Sequence, residues 1–239
     1  MMGAKLRNRL AAGEAVTMFN THHLSSGLAV RLVELGADAI FLDCEHGTWG
    51  FEDIRVTAQA IRGAGGAGIV RPQSHERPLL IRYLNAGADG LMVPMVDTAA
   101  QARAIVDAVR YALPTNHEDR LVVAMIETVG AIDDLEAMLA VDGVDVFFIG
   151  PGDLSQDMGH PPAPPFGEPR PAPVIAKVGE AVAKICAAGR VAGTLVTLDE
   201  MPYWQERGVQ YFYVHSDPFL RLGMDRMKGI LRSVAVAAE

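Results

Sequence analysis

The segment LVVAMIETVGAIDDLEAMLAVDGVDVFFIGPGDL, residues 121–154, limits the folds open to this chain more than any other stretch. It holds two apolar runs, 121–126 and 144–149, each short enough to be a buried strand. Between them Ile132, Leu135, Met138 and Leu139 recur at the spacing of one helix face. A strand, helix and strand of this length make a parallel crossover unit, which puts both strand ends at the same edge of a sheet. Each run leads into an acid, Glu127 directly and Asp153 after Gly150-Pro151-Gly152. Two carboxylates therefore converge on one opening.

The same alternation runs through the rest of the chain. Strands are expected at 15–20, 39–42, 69–70, 90–96, 193–197 and 211–215. Helices are expected at 25–35, 51–64, 76–86, from Thr98 onward, at 172–188, at 200–207, and in a tail from Pro218 that grows more apolar toward Val236. With the central unit this makes eight strand and helix pairs in 239 residues, the pattern of an α/β chain closed into a (β/α)₈ TIM barrel. One domain over residues 1–239 is expected. An open doubly wound sheet would carry a glycine-rich phosphate turn after its first strand, and here that turn is Thr21-His22-His23-Leu24. Residues 155–173 contain seven prolines, too many for a helix or a central strand. Following the sixth strand, this stretch should overhang the site or reach a neighbouring subunit.

Composition excludes several partners. A formal charge of -8, without clustered Lys and Arg, argues against a nucleic-acid surface. Two cysteines, Cys44 and Cys186, cannot build a disulfide framework, and the polar start, residues 1–9, lacks the apolar core of a signal peptide. No apolar run approaches the roughly 18 residues of a membrane span. A soluble, cytoplasmic protein is the expectation.

A barrel carries its active site at the carboxyl ends of its strands. That mouth would collect His46, Arg71, Glu127 and Asp153, a base, a cation and two carboxylates. Two carboxylates completed by water and substrate oxygens suit Mg²⁺ or Mn²⁺. Arg71 is placed to grip a substrate carboxylate through paired hydrogen bonds, and a divalent ion would stabilise an enolate oxygen. Asp43 either orients His46 or pairs with a lysine or arginine. Cys44 reads as a small buried residue. His22, His23 and His215 also follow strands and could approach the site, with solvation in a loop the plainer reading for at least one. Together the mouth residues suit proton abstraction beside a ketone.

FLDCEHGTWGFEDI, IVRP, LNAGADGLMVPMVDTAAQARAIVDAVRY, MIET, AIDDLEAMLAVDGVDVFFIGPGDLSQDMG and the late GVQYFYV cover most of the chain from residue 38 onward. In them the chain resembles the HpcH/HpaI family of class II pyruvate aldolases, which includes the 2-dehydro-3-deoxyglucarate aldolases. The resemblance implies a barrel that exchanges its last helix with a neighbour and assembles as a homo-hexamer. It implies a Mg²⁺, Mn²⁺ or Co²⁺ ion held by Glu127 and Asp153, and pyruvate bound by Arg71 and the metal. It further implies that His46, paired with Asp43, moves protons, and that the backbone at Gly150, Pro151 and Gly152 faces the pyruvate carboxylate. The reaction implied joins a pyruvate enolate to an aldehyde, or cleaves the resulting hydroxy-keto acid. Alternatives on the same site are oxaloacetate enzymes, citrate-forming or decarboxylating, and a keto-acid binding barrel without catalysis.

Some residues depart from the family pattern. Only ALPTNHEDR stands where the family carries a long site-closing loop after Tyr111, a loss expected to open the pocket or change its partner. Asn85 replaces a common aspartate that meets a neighbouring subunit's site. Asn20-Thr21-His22-His23 replaces Gly-Xaa-Trp after the first strand, and a Gly-His-Pro-Pro segment replaces the ordinary sixth loop.

Overall fold

Strands that lie between a packed interior and a layer of helices must be apolar on both faces, and the chain supplies eight such strands. The computed structural model describes residues 2–164 and 168–236, with side chains described as far as residue 232. The strands are β1 (Val16–Asn20), β2 (Ala39–Asp43), β3 (Ala67–Arg71), β4 (Gly90–Val93), β5 (Leu121–Ile126), β6 (Val146–Ile149), β7 (Val191–Leu195) and β8 (Val209–His215). All neighbours are parallel, and β8 pairs with β1 to close the (β/α)₈ barrel. The helices are α1 (Met2–Ala11), α2 (Ser26–Glu34), α3 (Phe51–Gly63), α4 (Arg77–Asn85), α5 (Ala99–Ala112), α6 (Val129–Asp133), α7 (Leu135–Leu139), α8 (Pro151–Asp157), α9 (Ala172–Ala187), α10 (Met201–Gln205) and α11 (Asp217–Val236). Among the described residues no helix is long and apolar enough to cross a membrane.

Alternation along each strand divides the core in two. In β2, Ala39 and Phe41 join an inner cluster with Met18, Ile69, Val123 and Phe148. Ile40 and Leu42 face outward and pack with helix residues such as Ile54 and Ile61. Side chains fill the barrel, so the open space lies at its carboxyl mouth.

Several boundaries differ from the sequence reading. β3 extends over Ala67–Arg71 and not just 69–70, because the glycine at 68 still makes ladder partners. β4 ends at Val93, so Pro94 follows the strand and does not sit inside it. The chain then turns through Met95 in the left-handed region at φ 53°. The single helix expected between β5 and β6 is two short ones, α6 and α7, meeting at Asp134.

The polar start is not a tail. It forms α1, whose Leu6 and Leu10 enter the inner cluster from the amino-terminal end of the barrel. Each such burial contributes about 2 kcal/mol. Arg7 fastens the helix through Asp145, 2.5 Å away, and through the carbonyls of Glu118 and Arg120. The short segment after Tyr111, expected to open the pocket or change its partner, contributes no residue to the cavity lining of this chain. The segment runs through a 3₁₀ turn at His117–Asp119 into the start of β5, so it lies beneath the barrel against α1, at the end opposite the mouth.

Candidate active site

The mouth holds a cavity of about 320 Å³, and strand register explains much of what lines it. Asp43 ends β2 and Arg71 ends β3, directly opposite each other in the ladder. The Arg71 Nε donates to Asp43 Oδ1 at 2.9 Å and its Nη2 to Oδ2 at 2.7 Å, a bidentate pair. Nη1 lies 3.1 Å from Glu45 Oε2. The guanidinium also stands 5.2 Å from the centre of the Phe41 ring. Burial works to raise the Asp43 carboxyl, but the hydrogen bonds and charge of Arg71, with backbone N–H groups of His46 and Glu45, outweigh it and hold the group below its usual range. For Glu45 burial prevails over Arg71 and His46, and its carboxyl is raised.

His46 lines the cavity, as expected from a strand that ends before it. The expected pairing of its ring with Asp43 is corrected by the structure. Asp43 accepts from the backbone N of His46 at 3.2 Å and spends its carboxylate on Arg71, while the His46 Nε2 lies 3.8 Å from Glu45 Oε2. Of the two partners the sequence left open for Asp43, arginine is the one it takes. The close return of the chain over Asp43 needs Gly47, where a Cβ would meet the Asp43 carbonyl oxygen at 2.1 Å.

Glu127 follows β5 and is nearly sealed from solvent, at 2% exposure. Met95 N donates to its Oε2 at 3.0 Å, so the left-handed turn after β4 aims one N–H at this carboxylate. A non-glycine residue held there costs on the order of 1 kcal/mol, a strain typical of functional sites. Asp153 lies in the first turn of α8, and Gly150-Pro151-Gly152 leads into that helix. A Cβ at Gly150 would stand 2.4 Å from Glu127 Oε1, so a side chain there would displace the Glu127 carboxylate. The proline-rich stretch, expected to overhang the site or reach a neighbouring subunit, contacts this turn, with Arg170 Nη1 donating to Pro162 O at 2.8 Å and Pro151 O at 3.3 Å, while none of its described residues lines the cavity. Pro165 lies outside the described residues.

Burial, followed by Asp153, raises the Glu127 carboxyl to about 8 from the usual 4.5, against the Met95 N–H and Arg71. The cation that bears on it, Arg71, is already committed to Asp43 and Glu45. A buried acid beside a second acid calls for a further cation, and the donors are hard oxygens, which fits Mg²⁺-like ions that take one or two carboxylates and keep waters. Among the described residues no group of three or more His, Cys, Asp or Glu is arranged to hold an ion. A pH dependence follows. Without a divalent ion the folded chain keeps the Glu127 proton between about 4.5 and about 8, where the unfolded chain has released it. This group's stabilising effect is thus complete below about pH 4.5 and is lost as pH rises through about 8. Thermal midpoints in EDTA should fall over that window, and Glu127→Gln should flatten the fall.

Sequence reasoning missed two groups, and it placed His22 and His215 near the site without pairing them. Glu45 is the second acid on Arg71. Asn20 donates from Nδ2 to Tyr213 Oη at 2.6 Å across the β1–β8 seam. Beyond them His22 Nε2 and His215 Nδ1 face each other at 2.5 Å, while His23 is exposed and is the solvated one of the pair. Closure of the barrel was the available signal, because it sets the ends of β1 and β8 side by side.

A sequence profile of the HpcH/HpaI aldolase/citrate lyase family matches residues 19–230. The chain is 34% identical over 191 residues to a hydroxypyruvate/pyruvate aldolase of Roseovarius nubinhibens, covering 70% of this chain and 72% of that one. It is 34% identical over 214 residues to a 4-hydroxy-2-oxovalerate aldolase of Novosphingobium aromaticivorans, covering 80% and 76%. An HpcH/HpaI aldolase/citrate lyase family protein from Burkholderia cenocepacia shares the fold with a TM-score of 0.85 at 24% identity, over 95% of this chain and 99% of that one.

Proposed function

The chain belongs to the HpcH/HpaI aldolase/citrate lyase family and is an enzyme, a carbon–carbon lyase with aldolase activity; from that premise we propose how its own residues carry the reaction. The observation that supports the reading is the meeting, in one cavity, of the Arg71–Asp43 pair with the buried Glu127 and its neighbour Asp153. Pyruvate is the nucleophile precursor and an aldehyde the acceptor. Glu127 and Asp153 hold a divalent ion, Mg²⁺, Mn²⁺ or Co²⁺. When bound, that ion supplies positive charge toward the keto-acid oxygens, which lowers the cost of forming an enolate.

Arg71 binds the keto acid. Asp43 takes two of its five N–H groups, leaving one on Nη2 and two on Nη1, with Glu45 beside Nη1. The free N–H groups of the two terminal nitrogens reach the substrate's oxygens, and Asp43 fixes the plane in which they do so. The backbone at Gly150, Pro151 and Gly152, leading into the first turn of α8, faces the substrate carboxylate, where a helix start favours negative charge. His46 takes a methyl proton from pyruvate. The enolate carbon then attacks the aldehyde carbon, and the carbonyl oxygen gains a proton as the new bond forms. Cleavage runs the same steps in reverse.

Assembly is part of the proposal. Leu220, Met224, Met227 and Leu231 recur along one side of α11 and are exposed, which supports packing of this helix against another copy, in the hexamer that the resemblance implies. Release of pyruvate from 4-hydroxy-2-oxo acids, read by lactate dehydrogenase and NADH, tests the activity. Turnover should vanish in EDTA and return with Mn²⁺, whereas undiminished release from protein stripped of metal would overturn the metal assignment.

A further inference from the structure

The His22–His215 pair has no part in the scheme above, yet both rings line the same cavity. His215 ends β8 and His22 follows β1, two strands that pair with Asn20 opposite His215. The loop after β1 is shaped to present His22. Its backbone stands at φ 55°, in the left-handed region, and its N donates to Asn20 Oδ1 at 2.8 Å. Asn20 is in turn held by the Tyr213 hydroxyl at 2.6 Å. The rings stack with centroids 4.4 Å apart and an interplanar angle of 26°, while His22 Nε2 and His215 Nδ1 meet at 2.5 Å.

At that separation the two nitrogens must share one proton, because two N–H groups would collide and two lone pairs would repel. Burial, followed by the charge of His22, drives the His215 imidazole down to about 4, with Arg170 and Arg71 acting the same way against Asp217. Near neutral pH His215 is therefore uncharged and has one proton to place on either of its nitrogens. The pair has two tautomeric arrangements. In one, His215 Nδ1–H donates to His22 Nε2; in the other, His22 Nε2–H donates to His215 Nδ1, and His215 Nε2 carries a proton at the far end. His22 is the exposed member and His215 the part-buried one, so the two rings form a short path from solvent into the mouth.

We infer that His22 and His215 act as a proton relay to the acceptor's carbonyl oxygen, separate from the group that enolises the keto acid. The inference rests on the aldolase reading above. In addition, the enolate carbon forms its bond to the aldehyde carbon, the C=O π pair moves to oxygen, and that oxygen takes the proton from the His215 ring. The shared proton crosses from His22 to His215, and His22 regains one from solvent, matching the methyl proton that His46 releases to solvent. In cleavage the relay runs outward, taking the hydroxyl proton as the carbon–carbon bond breaks. The acceptor class this favours is a small aldehyde whose oxygen reaches the β1–β8 side of the mouth.

Two half-reactions separate this role from the enolate chemistry. Exchange of pyruvate methyl protons in D₂O with Mn²⁺ needs no acceptor, while addition of pyruvate to acetaldehyde or glycolaldehyde needs both. In His22→Ala and His215→Asn, addition should fall by about 10²-fold while exchange stays within about twofold of the unsubstituted enzyme. Imidazole in solution should restore part of the addition rate to His22→Ala, an effect that loss of packing would not produce. Addition at full rate in both variants overturns the relay, as does equal loss of exchange and addition in folded protein. Failure of the unsubstituted enzyme to exchange would instead strike at the pyruvate-enolate reading itself.

Discussion

Glu127→Gln is expected to abolish divalent-ion binding and to lower turnover by about 10³-fold or more, with the fold retained, because preorganised charge is usually the largest catalytic contribution. Glutamine keeps the volume under Gly150 and can still accept the Met95 N–H, so the surroundings need not move. What it removes is the negative charge that Asp153 and burial make costly and that an ion would neutralise. The variant should therefore be as stable as the parent in EDTA, or more stable near pH 8, while losing the stabilisation that added Mn²⁺ gives the parent. Calorimetric titration with Mn²⁺ and thermal melts with and without the ion read both effects. Retention of metal binding together with turnover would remove Glu127 from the site.

Arg71→Lys should be nearly as damaging although it keeps the charge. A guanidinium can hold Asp43 through two parallel bonds and still direct N–H groups at a substrate, whereas an ammonium is a point charge with three donors. Hydrogen bonds to charged groups contribute about 1.5–3 kcal/mol each, so losing two corresponds to a fall of about 10²–10⁴-fold in kcat/KM for the keto acid. Asp43 and Glu45 would then compete for one cation, and part of the effect should appear as lower stability. Steady-state kinetics against pyruvate, beside a melting curve, separate the two. A kcat/KM close to the parent's would show that charge alone suffices and that the fork does not bind substrate.

The barrel was legible because burial on both faces leaves short apolar runs, as in 121–126 and 144–149, and eight of them alternate with helical spacing. Acids placed just past such runs announce a mouth, which is how Glu127 and Asp153 were reached. Relations across strands were less accessible. Asp43 stands opposite Arg71 only because the β2 and β3 ladders are in that register, and one chain position says nothing about register. Glu45 reaches Arg71 from the turn after β2, where strand periodicity no longer places side chains. The His22–His215 pair needed the seam between first and last strands. α1 was hidden by its own charges, since Lys5, Arg7 and Arg9 obscure a helix that buries only Leu6, Leu10 and the backbone at Gly3. Its partners are Asp145 and the carbonyls under the barrel, which no local pattern discloses.

Exchange of the methyl protons of pyruvate, followed by proton NMR in D₂O, tests the central claim most directly, because it isolates enolate formation from the identity of the aldehyde. With Mg²⁺, Mn²⁺ or Co²⁺ present, the methyl signal should decay catalytically, and the decay should stop on chelation and be lost in Glu127→Gln and Arg71→Lys. An unchanged methyl signal with every ion, from folded protein that binds the metal, would contradict the pyruvate-enolate account.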